Sequence, residues 1–153
     1  MRTGPSPSTL DAHLGYWLRR VSNHVSGAFA RSLQEEQVSV AEWVALRLIH
    51  GGARRTSGDL ATITGMSRGA VSKVLEKLEG KGLVARVTDH DDNRVQWLSL
   101  TRKGTLRVPK LAALADRNDA QFFGCLEARE QAELRRILEK LTEVHHLADV
   151  PMQ

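Results

Sequence analysis

"SRGAVSKVLEKLEGKGLVARVTDHDDNRVQWLSLTRKG", Ser67 to Gly104, changes its periodicity part-way along, and that change decides the fold. At first Val71, Val74, Leu75 and Leu78 recur at helical spacing, with Ser67 placed to cap the helix and Gly80 and Gly82 to close it. "LVARVT" and "RVQWLSL" are then rich in β-branched and aromatic residues, and the polar run "DHDDN", residues 89–93, separates them. This predicts a β-hairpin with a longer-than-minimal turn. Thr101 is placed to cap the helix that follows, and Pro109 should bend it.

Upstream, Ser39 with Glu42 makes a capping box for "SVAEWVALRLIH", whose buried side is expected to carry Val40, Trp43, Val44 and Ile49. Gly51 and Gly52 end it. Thr56 and Asp59 bracket another helix start, and "DLATIT" stops at Gly65, a residue suited to a left-handed terminus. Small Ala61, Gly65, Val71 and Val74 together have the spacing of a helix-turn-helix, and the hairpin makes it winged. An ordinary helical hairpin inside a larger bundle would leave the basic hairpin without a reason.

Further out, Leu10, Leu14, Leu18, Val21, Val25, Phe29 and Leu33 form the stripe of a long amphipathic helix. Leu134, Ile137, Leu138, Leu141 and Val144 form another near the carboxyl end. Stripes this long need a large partner surface, within the chain or on a second copy.

The 153 residues suit one folded domain, and 41% hydrophobic with 26% charged composition argues against disorder. No apolar run approaches the ~20 residues of a membrane span. "MRTGPSPSTL" has no apolar core, so it is read as a flexible leader (1–9) and not as a signal peptide. The lone Cys125 cannot form an internal disulfide, which fits a reducing cytoplasm. Net charge is +4, but Arg47 to Lys110 alone holds 13 Lys+Arg against 6 Asp+Glu. A basic middle between mildly acidic ends suits a nucleic-acid surface, although uneven scatter over a solvated surface explains it equally well.

The helix opening at Ser67 carries the right chemistry for such a surface. Gly69 and Ala70 let its first turn sink into a major groove, where Arg68 can bond a guanine edge and Ser72 and Lys73 can reach bases or phosphates. Thr56 and Ser57 can donate to phosphate from the preceding helix start. Lys77 and Lys81 fit phosphate contact and plain solvent exposure equally.

In its order of elements the chain resembles the multiple-antibiotic-resistance regulator (MarR) family over residues 10–147. The resemblance is most specific at Leu78–Val84, Asp89–Arg94 and Leu100–Gly104; His90, Lys73 and Pro109 depart from the family pattern. It implies a mainly α fold with a small β-wing. Residues 10–36 and 102–147 would supply dimerisation helices, and 39–101 the winged helix-turn-helix. It implies a homodimeric repressor on double-stranded DNA, reading a pseudo-palindrome and released by a small, aromatic ligand. No cofactor, metal or membrane is implied. Arg94 would enter the minor groove, with Arg86 and Asp92 completing the wing's contribution. Trp17, His24, Trp43 and Arg47 match the family's ligand region, with His13 and Arg20 as secondary candidates. Both tryptophans also read as plain core.

Competing readings are an enzyme, a redox- or metal-responsive regulator of the same fold, and a helical interaction module without DNA binding. No catalytic signature surrounds Cys125, and adjacent His145 and His146 diverge by about 100° on a helix. The acidic run is no calcium loop either. Asp89, Asp91 and Asn93 fit the first, third and fifth positions, but Arg94 stands where glycine is needed and Leu100 where glutamate is. As a wing tip the run coheres: the acids favour the turn, and Asp92 can hold Arg94.

Overall fold

The computed structural model describes residues 6–148 and Val150, so the first five residues of the expected leader lie outside the described residues. Six helices and one hairpin follow in order: α1 (Leu14–Glu35), α2 (Val40–His50), α3 (Ser57–Thr64), α4 (Arg68–Gly80), β1 (Val84–Thr88), β2 (Gln96–Leu100), α5 (Arg102–Phe123) and α6 (Ala128–Val144).

Local chemistry sets most boundaries. The Ser39 side chain accepts from the Glu42 N–H while Glu42 accepts from the Ser39 N–H, and Thr56 and Asp59 repeat the arrangement at α3. Ser67 accepts from the Ala70 N–H, and Thr101 accepts from the Gly104 N–H. Gly65 ends α3 at φ 68°, a conformation that costs side-chain-bearing residues energy. α5 runs through Pro109 as one continuous helix, and the proline removes the N–H that would reach the Thr105 carbonyl.

The amino-terminal stripe begins differently from expectation. Leu10–Ala12 is a separate 3-10 turn, and the α-helix starts only at Leu14 because His13 is extended (φ −99°, ψ 126°). The Trp17 indole donates to the Asp11 carbonyl oxygen and folds that turn against α1. β2 likewise begins at Gln96, two residues after the expected start, because the turn extends to Val95, whose N–H donates to Asp92 O.

β1 and β2 pair antiparallel, with Val84 opposite Leu100 and Thr88 opposite Gln96. Leu98 N–H also donates to Arg55 O, so the α2–α3 loop adds a third, one-residue rung. The core joins Leu33, Leu46, Leu60, Val71, Leu75, Leu78, Leu83, Val84, Leu98, Val108 and Leu111. α2 corrects the expected burial. Glu42, Ala45, Leu46 and Ile49 are its buried residues, whereas Val40, Trp43 and Val44 are half-buried. Ile49 is buried as expected and Val40 and Trp43 pack against the margin of the core, but the centre of the buried side lies at Glu42, Ala45 and Leu46, which periodicity alone did not select.

Glu42 is 2% exposed. Its carboxylate accepts from Lys81 Nζ at 2.7 Å, and that ammonium also donates to the Gln37 carbonyl at 2.6 Å. Burial works against the charge, but the Lys81 and Ser39 donors outweigh it and hold the Glu42 carboxyl below its ordinary pKa. The pair fastens the end of α4 to the start of α2. Arg107 makes the neighbouring fastening, donating to the Glu36 carbonyl oxygen at 2.8 Å from α5.

Candidate nucleic-acid interface

α3 and α4 meet through the Gly65 turn, with Leu60, Thr64, Met66, Val71 and Val74 packed between them. Burying Val71, Leu75 and Leu78 turns the other side of α4 outward. Ser67, Arg68, Gly69, Lys73 and Lys77 are exposed there; Ala70 and Ser72, expected to be exposed, are half-buried because they flank Val71. A Cβ added at Gly69 would meet nothing within 4 Å, so the amino-terminal turn of α4 offers an open surface. Small side chains, an arginine, a lysine and the N–H end of the helix occupy one surface there.

Not every expected donor is free. The Thr56 hydroxyl donates to Asp59 Oδ2 at 2.9 Å, leaving half-buried Ser57 beside it. Arg86 Nε donates to Glu79 Oε1 at 2.9 Å, which ties β1 to the last turn of α4.

The hairpin tip has the organisation expected of it. Asp92 Oδ1 accepts from the Arg94 main-chain N–H at 3.0 Å and from Arg94 Nε at 3.1 Å. Those two donors hold the Asp92 carboxyl below the usual range against the repulsion of Asp89. Asp89 shapes the turn, accepting from the N–H groups of Asp91 and Asp92. Its Oδ2 accepts from the Trp97 indole, and Arg54 lies over that indole. Sequence reasoning passed over Arg54 and Trp97. The available signal was an indole two residues beyond a turn rich in acids.

The four ligand candidates are divided between two places. Trp43 packs edge-on against Phe29 with Arg47 over its ring, and it lines a cleft of about 280 Å³ with Val25, Val44, Ala115 and Asn118. Trp17 is 47% exposed on the first half of α1, where Arg20 approaches its ring and the His24 ring lies 2.9 Å from the Arg20 carbonyl oxygen. Of the four, Trp43 lines the cleft, while Arg47 only stacks on Trp43, and neither Trp17 nor His24 lines it. Among the described residues, no group of three or more His, Cys, Asp and Glu is placed to share a metal ion. Cys125 is exposed after α5, and no described helix is long and apolar enough to cross a membrane.

A family model described as MarR family matches residues 36–94, which hold this whole helix-turn-helix and the hairpin tip. An HTH-type transcriptional repressor of Mycobacterium tuberculosis is 32% identical over 131 residues, spanning 86% of this chain and 94% of the relative. The chain belongs to the MarR family. That family is one of transcription regulators, not a class of enzyme. Among solved structures, a MarR family protein of Mycobacterium tuberculosis in complex with DNA superposes with a TM-score of 0.73 at 31% identity, covering 86% of this chain and 98% of that one. A MarR family protein of the same organism in complex with salicylic acid has a TM-score of 0.68 at 32% identity, covering 86% and 97%. The MarR fold, with its winged helix-turn-helix in the middle, therefore extends over nearly all of the described chain.

Proposed function

We propose that this protein is a homodimeric transcription repressor that binds a pseudo-palindromic operator and releases it on binding a small aromatic acid. The observation that carries this reading is the pairing of two exposed features. One is the small-residue first turn of α4, and the other is an arginine held by its own acid at the hairpin tip. Arg68, Gly69 and Lys73 enter the major groove, with Ala70 and Ser72 limiting the depth of approach. Ser67, Ser57 and the amino end of α3 at Thr56 face phosphates, as does Lys77. Arg94 enters the minor groove, held by Asp92, while Arg86 supports the strand through Glu79.

Residues 39–101 form the DNA-reading module, and 10–36 with 102–147 form the dimer. Leu14, Leu18 and Val21 of α1 and Ile137, Leu138, Leu141 and Val144 of α6 are exposed apolar side chains that a second copy covers. Trp43 and Arg47 form the wall and the cation for an aromatic carboxylate, consistent with the salicylic acid held by the mycobacterial relative. The protein carries out no catalytic step and works in the cytoplasm, where operator DNA is.

Selection of bound duplexes from a random pool tests the reading. Half-sites about 10 bp apart, centre to centre, are expected from two α4 helices one helical turn apart. Enrichment of a single unpaired site, or of none, would contradict it. Adding salicylate to the selected complex then tests release.

A further inference from the structure

The turn end of the hairpin holds a cluster that DNA contact does not itself require. Trp97, on β2, donates its indole N–H to Asp89 Oδ2 at 2.6 Å. Arg54, in the α2–α3 loop, lies over the Trp97 ring with its guanidinium carbon 4.5 Å from the centroid and Nη1 3.9 Å from Asp89 Oδ2. The same Asp89 accepts from the main-chain N–H groups of Asp91 at 3.0 Å and Asp92 at 3.2 Å. Asp92 in turn holds Arg94. An unbroken series of contacts therefore runs from the α2–α3 loop to the tip arginine.

We infer that Arg54 is a positioning residue for the hairpin tip, clamping Trp97 and Asp89 against the α2–α3 loop and so fixing where Arg94 points. The inference rests on the reading of Arg94 as the residue presented to DNA. A two-stranded hairpin has little stability of its own, so its tip pivots unless it is held against the rest of the fold. Main-chain pairing of Arg55 with Leu98 holds the middle of β2, and Arg55 Nε donates to the Leu48 carbonyl at 3.2 Å. Arg54 supplies the side-chain hold. A planar guanidinium can stack on an indole and face a carboxylate together; an ammonium keeps the charge but loses the plane. Arg54 is also 66% exposed, so direct contact with phosphate is the alternative that the test must separate.

The test is a double-mutant cycle of duplex affinity at matched salt. It uses Arg54→Ala, Arg94→Ala, the pair together and Arg54→Lys, with circular dichroism melting to show that each is folded. The Trp97 indole N–H is followed in the free protein by NMR, assigned by its loss in Trp97→Phe. Arg54→Ala is expected to weaken binding roughly fivefold alone and to add little in the Arg94→Ala background, as coupled neighbours do. It should also shift the indole signal and speed its exchange without DNA present, and Arg54→Lys should restore neither. An equal loss in both backgrounds overturns the inference in favour of direct phosphate contact. An unmoved indole signal, full affinity in Arg54→Ala or full rescue by Arg54→Lys overturns it as well. Parental affinity in Arg94→Ala has a different meaning: it removes the reading on which the inference rests, whatever Arg54→Ala does.

Discussion

Asp92 holds Arg94 by both its main chain and its side chain: one carboxylate oxygen accepts from the Arg94 N–H at 3.0 Å and from Nε at 3.1 Å. The arginine side chain nevertheless stays 91% exposed. It is constrained at its base and open at its end, which lowers the freedom it would lose on entering a groove.

Removing the constraint should therefore weaken binding without removing the contact. Asp92→Ala is expected to lower duplex affinity about three- to tenfold, the effect of freeing one long side chain. Asp92→Asn keeps an acceptor for the main-chain N–H but loses the ion pair, and should fall between the two. Titration by fluorescence anisotropy measures this, and unchanged affinity in Asp92→Ala would remove Asp92 from the interface.

The buried Glu42–Lys81 pair predicts a stability effect with a definite pH dependence. Lys81→Met leaves a buried carboxylate without its counter-charge and should cost about 1.5–3 kcal/mol in urea unfolding at neutral pH. Glu42→Gln keeps a capping-box residue and should cost less. Because the Glu42 pKa is lowered in the folded protein, its stabilisation is complete above the ordinary glutamate value, ~4.3, and is lost as pH falls through the lower folded value. The gap between parent and Lys81→Met should thus be widest near neutrality and narrow in acid. A gap independent of pH would show that the pair contributes through packing alone.

These two pairs show what could be read from the sequence. Asp92 and Arg94 are two residues apart, and the caps at Ser39, Thr56, Ser67 and Thr101 each span three. Turns and helix starts of that reach follow from local chemistry, so they were legible. Lys81 and Glu42 are 39 residues apart, and Arg54 meets Trp97 from another element. No local pattern encodes such partners; the packing of α2 on α4 and of the α2–α3 loop on the hairpin creates them. The same reason hid the centre of the buried side of α2, Glu42, Ala45 and Leu46, although Ile49 was read as buried: tertiary contact makes the choice. Gln37, at φ 59°, likewise carries no sequence signal, since its carbonyl is oriented for Lys81 by the turn itself.

Gly104 gives a steric prediction. A Cβ there would overlap the Leu83 carbonyl oxygen, where the first turn of α5 meets the link between α4 and β1, and backbone on both sides has little room to yield. Gly104→Ala should destabilise the protein by about 3 kcal/mol, at the upper end for overpacking. Thermal melting measures this; a change below about 1 kcal/mol would mean that α5 can shift.

The exposed stripe on α6 predicts the assembly. Leu138→Glu, alone or with Leu141→Glu, places charge on the face assigned to the second copy and should convert a dimer to a monomer by light scattering. The DNA-reading module should keep its helical signal, because α6 buries none of its residues in the subunit. A mass that does not change would place the dimer contact elsewhere.

The salt dependence of binding to the selected duplex, measured for the parent and for Arg94→Ala, tests the central claim most directly. The parent should lose affinity linearly on a log–log scale as counterions are released. Arg94→Ala should bind more weakly, with a slope shallower by roughly one and unchanged dimer mass and melting. Two superimposable salt curves would contradict the account, since the arginine that Asp92 holds at the tip would then have no part in binding DNA.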